Sequence, residues 1–201
     1  MGENARDALV TSDLRQLGER RLDGETIFRG KVIDLKVDTV ELPNGKSATR
    51  EVILHKGAVA ILPLLPSGEV LVEEQYRYPH DRIFLEIPAG KLDSADEDPL
   101  SAAHRELAEE TGYRAEQMIS LGEYIPSPAI LSERIHLYLA MGLTEGGQSL
   151  DEDEFLAVKK IPLSTLVDAV LRGEIPDGKT QAAVLRVHLL LERNALQAPK
   201  F

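Results

Sequence analysis

The chain has 201 residues, of which 43% are hydrophobic, and it carries a formal net charge of −11. This acidity argues against a nucleic-acid backbone or an anionic membrane as the main partner, because like charges repel. The absence of cysteine excludes disulfides, thiolate metal sites and a cysteine nucleophile. No apolar run reaches the roughly 18 residues of a membrane span, and the N-terminus lacks the apolar core of a signal peptide. We therefore expect a cytoplasmic protein with one ordinary domain and a small addition.

The first two segments of the chain differ in their patterning. Residues 1–24 are polar and charged and predict a leader with one short helix around residues 8–22. Residues 25–55 alternate between apolar and polar side chains, and Pro43-Asn44-Gly45-Lys46 is typical of a hairpin turn between two strands. A sheet of about thirty residues is too small to be stable alone. We expect it to pack on the main domain or on a second subunit.

Residues 56–201 form the predicted main domain. Short apolar and alternating runs predict strands, and i, i+3, i+4 apolar spacing predicts helices. The predicted strands lie at 57–65, 69–78, 82–87, 119–124, 135–140 and 155–161, and the predicted helices at 163–172 and 179–196. Loops are expected at 125–133, which contains two prolines, and at the acid-rich stretch 142–153. Mixed strands with a few helices predict an α+β protein built as an α/β/α sandwich.

The segment between Gly90 and Tyr113 predicts one further helix. Asp98-Pro99 is a typical N-cap followed by proline in the first turn, and Gly112 stands where a C′ glycine ends a helix. Leu100, Ala103 and Leu107 lie on one face and favour packing against a core.

The opposite face of this helix is acidic. Glu106, Glu109 and Glu110 are spaced i, i+3 and i+4, so their carboxylates share one face. Adjacent carboxylates repel one another unless a cation lies among them, and carboxylate oxygens are ligands that Mg²⁺ prefers. The pattern therefore predicts a metal site.

The same segment resembles the Nudix box of the Nudix hydrolases. The residues in register with that box are Glu97, Arg105, Glu106, Leu107, Glu109, Glu110, Gly112 and Tyr113. One departure is that six residues, not five, separate Gly90 from Glu97. Either the loop carries an extra residue or Asp96 takes the place of the acid. We prefer the extra residue, because the spacing from Glu97 to Arg105 is intact and a loop absorbs insertions readily.

The resemblance implies an α/β/α enzyme that uses Mg²⁺ or Mn²⁺ and water to cleave a nucleoside diphosphate linked to another group. It implies that Glu106 and Glu110 are the principal metal ligands, with Glu109 and Glu97 supporting or sharing the site. The Ala89 carbonyl is a candidate to complete one metal's coordination. Arg105 is expected to orient a carboxylate by a paired hydrogen bond.

Residues outside the box are similar to the ADP-ribose pyrophosphatase branch of this family. Pro128 follows Gly112 by 16 residues, although Ser127-Pro128-Ala129-Ile130 replaces the usual Ser-Pro-Gly-Phe. The branch has an acidic loop that supplies a general base. Here Glu152 is the first candidate for that base and Glu154 for an added metal contact, and the two roles are exchangeable.

Substrate contacts follow from charge and residue type. Arg50 and Arg77 are candidates to grip the diphosphate, since the planar guanidinium binds two oxygens at once. Phe28 is a candidate to stack on adenine, or else a core residue of the small sheet. Glu86 is a candidate for a ribose hydroxyl or for the metal, and Glu133 ends the predicted substrate loop. The resemblance also implies a homodimer that shares the N-terminal sheet.

Three functions remain open from the sequence. The first is Mg²⁺-dependent hydrolysis of ADP-ribose to AMP and ribose 5-phosphate. The second keeps this chemistry but uses GDP-mannose, another nucleotide sugar, or a flavin or nicotinamide dinucleotide. The third is a non-catalytic nucleotide sensor, which could lose its metal-binding acids without harm, whereas all of them are present. No nucleic acid or membrane is expected as a partner.

Overall fold

The computed structural model describes residues 13–150, 152 and 154–196. These residues form ten β-strands and four α-helices in two compact units. One unit comprises the chain up to His55 together with Ser127–Ser132, and the other comprises Lys56–Pro126 and the chain from Glu133 onward. No helix in the described part of the chain is long and apolar enough to cross a membrane.

The first unit contains a small antiparallel sheet, as predicted. Its elements are helix α1 (Leu14–Leu17) and strands β1 (Arg20–Arg29), β2 (Asp34–Glu41) and β3 (Ser47–Leu54), with the strand order β1-β2-β3. The predicted hairpin turn joins β2 to β3. It is closed by a 2.8 Å hydrogen bond from Leu42 N to Lys46 O, and Gly45 adopts φ 78°, which favours glycine.

Strand β1 begins at Arg20, five residues before the predicted start of this sheet at residue 25. Arg20 Nη2 lies 2.7 Å from Glu41 Oε2, and Arg21 Nε donates to Asp38 Oδ1 at 2.9 Å. Polar side chains thus pair across exposed strands, so the apolar alternation used in the prediction is missing there. Residues 1–12 of the predicted leader lie outside the described residues, and the described part of its predicted helix is helical only in α1.

The second unit contains two further sheets. Its strands are β4 (Ala58–Pro63), β5 (Glu69–Arg77), β6 (Arg82–Glu86), β7 (Ala89–Lys91), β8 (Tyr113–Tyr124), β9 (Ile135–Glu145) and β10 (Leu156–Pro162). Its helices are α2 (Pro99–Thr111), α3 (Leu163–Leu171) and α4 (Gly178–Glu192). One sheet has the order β7-β4-β9-β8 and is mixed, because β4 and β9 are parallel. The other, β10-β5-β6, is antiparallel.

Strand β4 is buried on both faces, which accounts for its continuous apolar sequence. Val59 and Ile61 pack in a cluster with Leu107 of α2. Ala60 and Leu62 point to the opposite face and join a second cluster that includes residues of α3 and α4. The mixed sheet therefore has helices on both sides, and the predicted α+β sandwich is confirmed.

Several predicted boundaries differ from the structure. Strand β8 begins at Tyr113 rather than 119, and β9 continues to Glu145, into the predicted loop. The two strands pair with each other as far as Tyr113 and Glu145, so backbone pairing extends them where the side-chain pattern is weak. Leu100 was expected in the core but is 41% exposed, whereas Ala102 is fully buried. The two residues lie roughly 200° apart around the helix axis.

Candidate functional site

Helix α2 begins and ends where its capping residues predict. Asp98 Oδ2 accepts a 3.0 Å hydrogen bond from Ser101 N, and Pro99 is the first helical residue. Gly112 has φ 75° and ends the helix in the left-handed conformation. These caps set the register of the helix and hence the direction of each acidic side chain.

Two acids of α2 are buried beneath the short strand β7. Glu106 is 7% exposed and Glu110 is 2% exposed. The backbone N–H of Ala89 donates to Glu110 Oε2 at 2.9 Å. A Cβ atom on Gly90 would lie 1.9 Å from Glu106 Cδ, so only glycine allows the carboxyl group this position. The Ala89–Gly90 segment therefore holds both carboxylates in place.

Arg105 donates hydrogen bonds to three acids of the Nudix box. Its Nη1 atom donates to Glu106 Oε1 at 2.6 Å and to Glu109 Oε2 at 3.3 Å. Its Nη2 atom donates to Glu97 Oε1 at 3.1 Å. Glu97 Oε2 also accepts from the backbone N–H of Asp93 at 2.6 Å, so the loop with the extra residue is tied to the helix. Arg105 thus orients three carboxylates at once.

The surroundings of the buried acids disfavour their charged form. Burial raises the pKa of Glu110, and the charges of Glu73, Glu106 and Glu154 raise it further. Burial also raises the pKa of Glu106, although Arg105 opposes this shift. A positive charge placed among these groups would therefore be favourable.

Glu73 belongs to this acidic group and was not found from the sequence. It follows the apolar run Val70-Leu71-Val72 in β5, is 2% exposed, and its Oε1 atom has no hydrogen-bond partner among the described residues. Burial raises its pKa, and Glu154 and Glu86 raise it further. The sequence signal that could have identified Glu73 is its position directly after the apolar run of β5.

Glu86 is equally buried but is fully paired. Arg77 donates to it through Nε at 2.7 Å and Nη2 at 2.9 Å, and the Lys179 ammonium donates to the same carboxylate. Lys179 Nζ also lies 3.1 Å from Asp177 Oδ2. Burial alone would raise the pKa of Glu86, but Arg77 and Lys179 outweigh it and lower the pKa to about 2. The substrate roles predicted for Arg77 and Glu86 stay predictions, since here the two side chains bind each other.

The acidic loop places its two candidate residues differently. The charge of Glu154 contributes to the raised pKa values of Glu73, Glu106 and Glu110, so this side chain lies near the buried acids. Glu152 is exposed in a turn and forms no hydrogen bond or ion pair with other described residues. The proximity of Glu154 is compatible with its predicted metal contact, and the role of Glu152 as base stays a prediction.

Three predicted substrate residues lie in the first unit. Phe28 is 55% exposed, which disagrees with its alternative interpretation as a core residue of that unit. Arg50 Nε donates to Glu19 Oε2 at 2.9 Å. Pro128 is exposed at the start of a turn, beyond which Ile130 O accepts from Ile53 N at 2.7 Å. The remaining substrate candidate, Glu133, is partly buried in the second unit.

The donor set of the second unit fits a hard divalent cation. No three His, Cys, Asp or Glu side chains of the described residues converge closely enough to hold a metal ion by themselves. Nevertheless, Glu106 and Glu110 are buried side by side on one helix face, and the buried Glu73 Oε1 lacks a partner. Carboxylate and carbonyl oxygens are the ligands of Mg²⁺, which also retains several waters.

Comparisons with known proteins agree with this geometry. A NUDIX domain matches residues 54–183, and a nucleoside diphosphate sugar hydrolase N-terminal domain matches residues 19–53. The ADP-ribose pyrophosphatase of Bacillus subtilis is 41% identical over 93% of this chain and 100% of its own length. The methanol dehydrogenase activator of Bacillus methanolicus is 43% identical over 85% of this chain and 93% of its own. A solved structure, "Crystal structure of ADP compounds hydrolase", shares the fold with a TM-score of 0.77 and 23% identity, covering 88% of this chain and 95% of that one.

Proposed function

The chain belongs to the Nudix hydrolase family, and on that premise we propose that it hydrolyses ADP-ribose to AMP and ribose 5-phosphate with Mg²⁺ or Mn²⁺. The observation that carries this proposal is the burial of Glu106 and Glu110 beneath the Ala89–Gly90 segment. The relative that is 41% identical over its whole length supports ADP-ribose as the substrate.

In this reaction water adds to one phosphorus and the bond from that phosphorus to the bridging oxygen breaks. A bound divalent cation would neutralise the phosphate oxygens and activate the attacking water. Glu106 and Glu110, together with the Ala89 carbonyl, are the groups that would hold this ion. Arg105 fixes Glu106, Glu109 and Glu97 by hydrogen bonds and acts as a positioning residue.

The acidic loop would supply the proton acceptor. We assign Glu152 as the general base that removes a proton from water, and Glu154 as the acid that adds a metal contact. Glu154 lies near the buried carboxylates, which supports this division of roles. Glu152 is exposed, so its carboxylate is free to approach a bound substrate.

Substrate recognition would involve residues outside the Nudix box. The exposed Phe28 ring would stack on adenine, and Arg50 and Arg77 would bind the diphosphate. Pro128, Glu133 and Glu86 would shape the sugar-binding end. A second copy of the chain would share the N-terminal sheet, and the enzyme would act in the cytoplasm.

A second candidate keeps the chemistry and changes the substrate. Residues 19–53 match the N-terminal domain of nucleoside diphosphate sugar hydrolases, and this match supports GDP-mannose or another nucleotide sugar as the substrate. Dinucleotides are further candidates because they contain the same diphosphate. A non-catalytic nucleotide sensor is less well supported, because Glu97, Glu106, Glu109 and Glu110 are all present.

A substrate panel tests the proposal. ADP-ribose, GDP-mannose, NADH and FAD would be compared by kcat/KM with Mg²⁺ and with Mn²⁺, each with an EDTA control. We expect ADP-ribose to give the highest kcat/KM, equal amounts of AMP and ribose 5-phosphate, and no turnover in EDTA. A higher kcat/KM for GDP-mannose would replace the substrate assignment, and turnover in EDTA would overturn the metal dependence.

A further inference from the structure

Strand β5 places a carboxylate in the interior of the second unit without a hydrogen bond for one of its oxygens. Glu73 lies in the central strand of the β10-β5-β6 sheet, opposite Glu86 of β6 and Val158 of β10. It is 2% exposed, and its Oε1 atom has no partner among the described residues. A buried polar atom without a partner is strongly unfavourable, and a buried charge more so.

The charged groups around Glu73 do not supply this missing partner. Those acting on it are Glu86 from β6, Glu154 before β10, and the cations Lys179 from α4 and Arg77 from β5. Both cations already donate to Glu86, and Lys179 also pairs with Asp177.

Glu73 also interacts with Glu110 on α2. Among the charged side chains that act on Glu110, Glu73 has the largest effect, ahead of Glu106 and Glu154. Glu73 and Glu110 are each 2% exposed, and neither has an arginine or lysine hydrogen-bonded to it among the described residues. One divalent cation in contact with both would remove the repulsion and satisfy Oε1.

We propose that Glu73 is a further ligand of the divalent cation held by Glu110, contributed by β5 from outside the Nudix box. This inference rests on the metal centre of the proposed function and adds a residue to it. Because the ligand comes from a strand buried in the sheet, its position is set independently of the helix and of the acidic loop.

Binding of Mn²⁺ to the metal-free protein tests this proposal directly. Free Mn²⁺ would be followed by electron paramagnetic resonance, and the binding enthalpy by calorimetry, for the wild type, Glu73→Gln and the control Glu74→Gln. Glu74 is the next residue of β5, but it pairs at the surface with Lys159. We expect Glu73→Gln to weaken Mn²⁺ binding by about tenfold or more and Glu74→Gln to leave it unchanged.

A second variant, Glu73→Val, distinguishes the loss of a metal ligand from a folding defect. Glu73→Val continues the apolar run of β5, and replacing an uncompensated buried charge by a packed apolar group is neutral or stabilising. We expect this variant to have a metal-free Tm at or above that of the wild type, a smaller rise of Tm with Mn²⁺, and weaker binding.

The outcomes separate this inference from the proposed function. If the wild type and Glu74→Gln bind Mn²⁺ but Glu73→Gln and Glu73→Val bind it equally well, Glu73 is not a ligand and only this inference fails. If the wild type does not bind Mn²⁺ at all, the metal centre of the proposed function fails as well.

Discussion

Two buried glutamates face each other across β5 and β6, and they differ in how their charge is compensated. Glu73 and Glu86 are 2% and 3% exposed and are paired in register on adjacent strands. Glu86 accepts hydrogen bonds from Arg77 and Lys179, whereas Glu73 Oε1 has no partner among the described residues. The first carboxylate is stabilised by the chain itself, and the second has no compensating cation hydrogen-bonded to it among the described residues.

The same contrast extends to the pKa values of the region. Arg77 and Lys179 lower the pKa of Glu86 to about 2 despite its burial. Burial and neighbouring acids raise the pKa of Glu73 and of Glu110. A group of buried acids beside a fully paired one is what we expect of a site that binds a divalent ion, because an acid needed only for structure can be paired internally.

Removal of an uncompensated acid should have the largest effect on catalysis. We expect Glu110→Gln to lower kcat/KM roughly a thousandfold, since a principal metal ligand is lost. The variant should stay folded, because it removes a repulsive buried charge. Glu116→Gln, an exposed residue of β8, is the matched control. Near-normal turnover by Glu110→Gln would disprove the metal-site assignment.

Removal of a compensating cation should instead affect stability. We expect Lys179→Met to lower the free energy of unfolding by about 3 kcal/mol, because Glu86 loses one of its two partners in a buried site. Lys159→Met breaks an exposed pair with Glu74 and should cost less than about 1 kcal/mol. Urea unfolding measures both. Equal losses would mean that burial does not distinguish the two ion pairs.

The acidic loop provides a finer comparison between its two glutamates. Glu154→Gln should weaken Mn²⁺ binding by up to about tenfold, because its charge acts on the buried acids. Glu152→Gln should lower kcat and leave Mn²⁺ affinity unchanged if this residue is the base. Calorimetry together with steady-state kinetics on both variants would reveal the reverse pattern if the two roles are exchanged.

The smallest expected effect is the acid-side pH dependence of stability. The folded pKa of Glu86 lies below its ordinary value of 4.5, so its contribution is complete above pH 4.5 and is lost as the pH falls toward about 2. In Glu86→Gln, Tm should therefore fall less steeply over this interval than in the wild type. Identical slopes would show that Glu86 does not carry this contribution.

Helix α2 could be predicted from the sequence because its determinants are local. Asp98, Pro99 and Gly112 mark its ends, and the spacing of its acids sets their common face. The resemblance to the Nudix box added the roles of Arg105 and Glu97, which make direct contact despite the extra loop residue.

Glu73 and Lys179 could not be identified in the same way. Lys179 pairs with Glu86 across 93 residues of sequence, so this contact exists only after β6 and α4 have packed. Glu73 resembles a surface acid until β5 is known to be the central strand of its sheet. The extension of β8 to Tyr113 likewise depends on pairing with β9. Local signals predicted the helix of the site, and tertiary contacts determined which neighbouring charges are compensated.

An anomalous difference map from a crystal soaked in MnCl₂ tests the central claim most directly. Manganese should appear within roughly 2.5 Å of carboxylate oxygens of Glu106 and Glu110, with no peak at Glu86. A manganese peak at Glu86, or the absence of one at Glu106 and Glu110, would contradict the distinction between compensated and uncompensated buried acids.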